Sequence, residues 1–117
     1  MARSKIAITS LEKFNTSGAI TADAVELSDG NYLDLAGVNS NKLLIVFHGS
    51  TASMTATFKA GVFSDSGIGD LVVTVGATAI VAVVVETSRF KDSDGYILID
   101  CAGATADGTI EAVELPN

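Results

Sequence analysis

The chain has 117 residues, which suits one domain with one hydrophobic core, and 48% of them are hydrophobic, which excludes an intrinsically disordered protein. Fourteen acidic residues oppose seven basic ones, and the net charge of −7 disfavours nucleic acid as a partner, because phosphate binding needs a basic face. The longest uncharged apolar run, Ala79 to Val85, is far shorter than the roughly 18 residues of a membrane span, and the N-terminus lacks the apolar core of a signal peptide.

The first third of the chain alternates short apolar runs with turn-forming clusters. Lys5 to Thr9 and Ala19 to Leu27 alternate apolar with polar residues, which predicts two strands. In the second run the alternation places near the core Ile20, Ala22 and Ala24, with Val25 as a further candidate. Ser28 to Asn31 predicts a turn, and a short strand with Tyr32, Leu33 and Leu35 follows it.

After residue 41 the apolar runs are longer. The strands predicted here are Lys42 to His48, Met54 to Ala60, Leu71 to Val75, Thr78 to Glu86, Gly95 to Cys101 and Thr109 to Leu115. Phe63 to Asp70, between the second and third of these strands, predicts a flexible loop. The alternation is cleanest in the second strand, where the residues predicted to face the core are Met54, Ala56, Phe58 and Ala60.

This spacing predicts the fold class. About eight or nine short strands recur at roughly ten-residue intervals with turn signals between them, which is typical of an all-β protein. No segment sustains a helical period over the ten or more residues that a helix needs. We therefore expect one domain, residues 1–117, folded as an antiparallel β-sandwich or barrel-like structure.

The run Ala79 to Val85 carries the strongest local signal. Seven consecutive apolar residues, four of them valine, favour a buried strand over a helix. On an exposed edge such a run would promote aggregation, so we expect it in a central strand or in a subunit interface. Val83 is accordingly a candidate interface residue. The high apolar content of so short a chain also favours a homo-oligomer.

The sequence contains no motif typical of an enzyme. His48 is the only histidine and ends a strand, where a hydrogen-bonded or solvated role is expected. Cys101 cannot form an internal disulfide, and its position after an apolar strand predicts a buried, inert thiol. Asp92 to Gly95 resembles part of a calcium loop, but Gly103 stands where the bidentate Glu should be, so a type I′ hairpin turn at Asp94-Gly95 explains it better. We expect no catalytic residue, cofactor or metal.

The segment Arg89-Phe90-Lys91 has two compatible interpretations. As a strand continuation, it would point Phe90 inward and both cations outward. As an interface, it would present a basic edge to an acidic surface of a neighbouring subunit. The candidate interface residues are thus Arg89, Phe90, Lys91 and Val83.

The chain also resembles small head proteins of tailed bacteriophages that decorate or cement the capsid. The matching segments, which span most of residues 5 to 100, are Lys5-Ile-Ala-Ile-Thr, Asp29-Gly-Asn-Tyr, Lys42-Leu-Leu-Ile-Val-Phe, Thr57-Phe-Lys-Ala-Gly, Gly69-Asp-Leu-Val-Val-Thr-Val and Glu86-Thr-Ser-Arg-Phe-Lys-Asp-Ser-Asp-Gly. The resemblance implies a non-enzymatic virion protein, made in the host cytoplasm, that binds the major capsid protein on the capsid surface as an oligomer, with a trimer favoured. A β-sandwich module of a phage tail or collar, recognising carbohydrate or a host surface, is the alternative.

Overall fold

The computed structural model describes residues 3–11, 15, 17–27, 29–38, 41–49, 51–61, 69–103 and 108–116. These residues form ten strands and one helical turn, α1 (Thr87–Phe90). The strands are β1 (Ser4–Lys5), β2 (Ile8–Ser10), β3 (Asp23–Ala24), β4 (Asn31–Asp34), β5 (Lys42–His48), β6 (Met54–Phe58), β7 (Leu71–Val75), β8 (Ile80–Glu86), β9 (Tyr96–Gly103) and β10 (Thr109–Glu114). In this part of the chain, no helix is long and apolar enough to cross a membrane. Most of the predicted loop Phe63 to Asp70 lies outside the described residues.

The strands form two sheets. Sheet I has the order β1-β4-β9-β6-β7, and sheet II has the order β2-β10-β5-β8, with β3 also paired to β10. This confirms the predicted all-β sandwich. The sheets are mixed, however, and not purely antiparallel, because β1 runs parallel to β4 and β2 parallel to β10.

The N-terminal run Lys5 to Thr9 is two strands and not one. β1 belongs to sheet I and β2 to sheet II, so the chain crosses from one sheet to the other between them. Ile6, at this crossing, is fully buried. Both short strands come from the far N-terminus and lie beside strands distant in sequence, a pairing that local alternation cannot predict. This split accounts for ten strands in the structure in place of the nine predicted segments.

The core lies between the inward faces of the long strands. Its fully or nearly fully buried residues from these strands are Leu43, Ile45, Phe47, Met54, Ala56, Phe58, Ile97, Ile99, Cys101, Ile110 and Ala112. The predicted alternation of Met54, Ala56 and Phe58 is confirmed, while Ala60 lies beyond the end of β6 and is only partly buried. The ring centroids of Phe47 and Phe58 are 6.0 Å apart in an edge contact, which joins the two sheets directly.

The predicted strand Ala19 to Leu27 shrinks to the two residues of β3. Ile20 is 46% exposed, and Ala22 and Ala24 are exposed, so their predicted core positions are wrong. Val25, which was the further candidate for a position near the core, is buried. The segment pairs only with the first residues of β10, so most of its alternating side chains have no second sheet to pack against.

Asn31 was predicted to belong to a turn, and it is instead a buried hydrogen-bonding centre at the start of β4. Its Oδ1 accepts from the Glu26 N–H at 2.9 Å, and its Nδ2 donates to the Ala24 carbonyl at 3.1 Å. Asn31 is fully buried, so these bonds replace those it would make with water. The side chain thereby fixes the segment after β3 against β4.

Gly30 provides the space for an ion pair beside Asn31. It adopts a φ of +83°, and Nη1 of Arg3 lies against it while donating to Oδ1 of Asp100 at 2.6 Å. A Cβ at this position would overlap Nη1 of Arg3 and lie 2.6 Å from Oδ1 of Asp100. The backbone conformation therefore favours glycine, and any larger residue would also have to displace the Arg3 guanidinium from its contact with Asp100.

We predict that Gly30→Ala destabilises the protein more than Gly37→Ala. Both residues have a positive φ, +83° and +80°, but nothing lies within 4 Å of a Cβ at Gly37. Gly37→Ala should lower the free energy of unfolding by about 1 kcal/mol through backbone strain alone. Gly30→Ala should cost about 2 kcal/mol, because it also displaces Arg3. Urea denaturation measures both values. In an Arg3→Ala/Asp100→Ala background, which removes both neighbouring side chains, the difference should vanish, and its persistence there would contradict this account.

Cys101 is confirmed as a buried thiol. It is 5% exposed, and burial followed by the nearby charge of Asp100 raises the pKa of the Cys101 thiol to about 11. The thiolate is the reactive form, so Cys101 is poorly suited to act as a nucleophile near neutral pH.

Alkylation with iodoacetamide tests this assignment. A pKa raised from 9.0 to about 11 lowers the thiolate fraction at pH 8 about 100-fold, so native protein should react at least about 100-fold more slowly than urea-unfolded protein. The native rate should still rise with pH above 9, while circular dichroism verifies that the fold persists. Equal rates for the native and unfolded chains would show that the thiol is accessible and ionised.

Candidate interaction surface

β8 is an edge strand whose outward side is apolar. Its inward side chains are Val81, Val83 and Val85, and its outward ones are Ile80, Ala82, Val84 and Glu86. Ile80 is 68% exposed and Val84 is 56% exposed. Of the two predicted positions for this run, a central strand is therefore wrong, and a subunit interface stays a prediction. The strand begins at Ile80 and not at Thr78, because Thr78 has a φ of +60° in the preceding turn.

The exposed apolar surface continues from β8 onto β5. Leu44 and Val46 lie opposite Val84 and Ala82 in the antiparallel register. We call this surface the apolar face and define it by the outward side chains of both strands, Leu44, Val46, Ile80, Ala82 and Val84. Ile80 and Val84 are its large exposed side chains, and Leu44 and Val46 beside them are half-buried. A continuous apolar patch of this kind is typical of interaction surfaces.

Polar groups border the apolar face at both ends. Lys42 lies opposite Glu86 at one end, and His48 opposite Ile80 at the other. Nε2 of His48 lies 2.8 Å from Oε1 of Glu111 on β10, which confirms the expected hydrogen-bonded strand-end role of this histidine. An apolar centre with a polar border is the usual composition of a protein–protein interface.

The backbone of β8 also offers hydrogen-bonding groups along this edge. The Thr87 N–H donates to the Asn41 carbonyl at 3.0 Å, and the Gly49 N–H donates to the Ala79 carbonyl at 2.7 Å. Odd-numbered residues of β8 therefore direct their N–H and C=O groups towards β5, because this direction alternates along an antiparallel strand. The even-numbered residues, Ile80, Ala82, Val84 and Glu86, direct theirs away from β5, where the described residues provide no further strand.

β8 differs from the other strands that end the two sheets. β1 contains Lys5, β2 contains Thr9 and Ser10, and β7 contains Thr74. β8 has no polar side chain before Glu86. Natural edge strands usually carry lysine, proline or a bulge that prevents pairing with another chain, and β8 contains neither lysine nor proline. β7 also contains neither, and its Val72 is 61% exposed, but Thr74 interrupts its apolar side chains.

The segment after β8 uses its side chains within the subunit. Phe90 is 2% exposed and its ring centroid lies 5.7 Å from that of Phe58, so the predicted inward direction is correct. The backbone there is the helical turn α1 and not a strand continuation. The Arg89 guanidinium lies 4.8 Å from the Phe90 ring centroid, and it donates to the Gly69 and Asp70 carbonyls at 3.3 and 3.4 Å.

Of the predicted interface residues, the structure brings Val83 close to the apolar face but on the opposite side of β8. Arg89 holds the start of β7 against α1, and Phe90 belongs to the core, so neither is a freely exposed side chain. Lys91 pairs through its backbone with Ile97. The residues that form the exposed surface, above all Ile80 and Val84, were not singled out, although strict alternation within the valine run could have separated its two sides.

The Asp92 to Gly95 segment is a hairpin loop, but its turn is not type I′. Oδ1 of Asp92 accepts from the N–H groups of Asp94 and Tyr96, each at 2.9 Å. Gly95 has a φ of +82°, whereas Asp94 has none of the positive φ that type I′ requires. A three-residue loop with a type I turn followed by a left-handed glycine fits this geometry. Among the described residues, no group of three His, Cys, Asp or Glu side chains could hold a metal ion.

Two further features lie away from the apolar face. The rings of Tyr32 and Tyr96 are 4.8 Å apart on the outer side of sheet I, and the Asp34 charge is the largest cause of the raised pKa of Tyr96. A cleft of about 350 Å³ opens where β1 and β2 separate, with Lys5 and the nearly fully buried Glu114 in its wall. The burial of Glu114 follows from its inward register opposite Leu43.

No known family model matches this chain, and no curated protein or solved structure matches it.

Proposed function

We propose that this protein is a non-enzymatic virion component that binds the outer surface of a phage capsid and stabilises the assembled shell. The observation that carries the proposal is the apolar face, with Ile80 68% and Val84 56% exposed on an edge strand. A surface of this kind is stable in solution when it is covered by another protein. The resemblance to capsid decoration proteins indicates that the covering protein belongs to the shell.

The rigidity of the apolar face suits a repeated contact. It lies on the hydrogen-bonded strands β5 and β8, so its side chains keep their positions before binding and little ordering is required. A shell presents the same site many times, and an oligomer that engages several sites needs only modest affinity at each. Binding that favours the assembled state stabilises the shell by mass action.

The charge of the chain favours the outside of the shell. A net charge of −7 repels the phosphates of packaged DNA, so a position on the inner wall would be electrostatically unfavourable. On the outer surface the same charge helps to keep the unattached protein soluble.

The tyrosine pair on sheet I favours a second candidate function. Tyr32 and Tyr96 form an aromatic pair beside the carboxylate of Asp34, and paired aromatic rings with nearby hydrogen-bond acceptors can contact the apolar side of a sugar ring. This arrangement supports a tail or collar module that recognises carbohydrate. We rank it second because both rings are only partly exposed.

Co-sedimentation with expanded, empty capsids that lack this protein tests the first proposal. Wild-type protein should bind and raise the temperature at which the shells disrupt. Val46→Lys places an ammonium group in the apolar face, opposite Glu111 of β10, and should weaken binding at least about tenfold, because the charged pair would have to lose its water in the interface.

Thr57→Lys is the matched control. Thr57 is also half-buried and outward-facing on an inner strand, but it belongs to sheet I, so its replacement should leave capsid binding unchanged. Equal loss of binding in both variants would contradict the assignment of the apolar face. Failure of the wild-type protein to bind capsids would refute the function, and glycan binding lost in Tyr96→Ala would support the second candidate.

A further inference from the structure

We propose that β8 pairs antiparallel with β8 of a second copy of this chain, about a two-fold axis at Ala82, and so joins the two copies of sheet II into one continuous sheet. This inference goes beyond the proposed function, because it names the partner of the β8 edge and requires no capsid. The apolar face then lies on one side of the joined sheet and stays available for the shell.

The direction of the backbone groups restricts the register. Ile80, Ala82 and Val84 direct their N–H and C=O groups away from β5, as the bonds at both ends of the β5–β8 pair establish. Two copies can exchange hydrogen bonds only where a residue whose N–H and C=O groups point away from β5 in one copy faces a residue of the same kind in the other copy. The residue numbers of a paired couple must therefore sum to an even number, and registers shifted by one residue are excluded.

The side chains select one register from the remaining set. Centring the axis on Ala82 places Ile80 opposite Val84 twice and Ala82 opposite itself, so every hydrogen-bonded pair is apolar. Centring it on Val83 would instead place Glu86 opposite Ile80. In the Ala82 register the two Glu86 carboxylates lie at opposite ends of the seam, which limits repulsion between two protomers that each carry a charge of −7.

The inner side of the seam is also apolar. Val81 would face Val83 of the partner copy, and both side chains are only partly buried in one subunit although they pack against its core. Pairing would bury them further and extend the core across the axis. The predicted role of Val83 at an interface fits this position. Polar side chains in place of Val81 and Val83 would gain no apolar contact across the seam.

The size of this edge suits a modest dimer. The seven residues of β8, at about 3.3 Å each, extend about 23 Å, and the shortest dimension of the molecule is 25 Å. The side of the sandwich is thus about 600 Å² per protomer, which is the most that pairing along β8 could bury, and the corresponding total of about 1,200 Å² is the lower end of the range for stable interfaces. An isologous pairing of this kind closes at two copies and replaces the trimer that the resemblance implies.

Sedimentation equilibrium of the purified protein, without capsids, tests the pairing. Wild-type protein should be a dimer at about 100 μM, and Ala82→Lys should raise the dissociation constant at least tenfold, because two lysines would meet on the axis. Thr55→Lys, at an exposed position on the inner strand β6, should leave it unchanged. A wild-type monomer, a trimer, or a dimer that is insensitive to Ala82→Lys would overturn the proposal.

Cysteine cross-linking tests the register independently of affinity. In Ala82→Cys the two introduced thiols would lie on facing residues about 5.5 Å apart between Cα atoms, which a disulfide can span, so oxidation should give a covalent dimer. In Val84→Cys the two thiols would be four residues apart along the seam, about 13 Å, and should not link. Wild-type protein, whose Cys101 is buried, should also remain uncross-linked. Cross-linking of Val84→Cys, or none of Ala82→Cys, would overturn the Ala82 register.

Discussion

The contact between Phe47 and Phe58 sets the relation between the two sheets, and much of the remaining structure depends on it. Phe47 projects from β5 in sheet II and Phe58 from β6 in sheet I, and Phe58 in turn contacts Phe90 of α1. Because side chains alternate along a strand, placing Phe47 inward determines which side of β5 faces solvent. Burying Phe90 likewise determines how the chain leaves β8.

This arrangement explains why an apolar strand side remains exposed. β5 pairs with β8 residue for residue, so the inward direction of Phe47 places Val81 inward and leaves Ile80 and Ala82 outward. The sandwich has only two layers, and nothing in the described part of the chain covers the outer side of β8. Exposure of Ile80 and Val84 is therefore a consequence of the core packing, and its cost is offset only when another surface covers the strand.

The N-terminal segment connects the sheets in a different way. β1 and β2 join different sheets as parallel strands, with Ile6 buried between them. Arg3 holds the start of this segment through its contact with Asp100, in the space that Gly30 leaves open. These contacts link residues nearly a hundred positions apart in sequence, so they reduce the freedom of the terminus only after the sheets have formed.

The sequence by itself determined the all-β class, the bounds of β5 and β7, the inward residues of β6 and the burial of Cys101, because period-two alternation and turn residues act locally. Only the tertiary structure decided that β8 lies at an edge, that Asn31 is a buried hydrogen-bonding centre, and that Arg89 is held within the subunit. A run that is apolar on both sides contains no signal that distinguishes a central strand from an edge. That distinction depends on which distant strands occupy the neighbouring positions, and strand neighbours are chosen by the packing of the whole core.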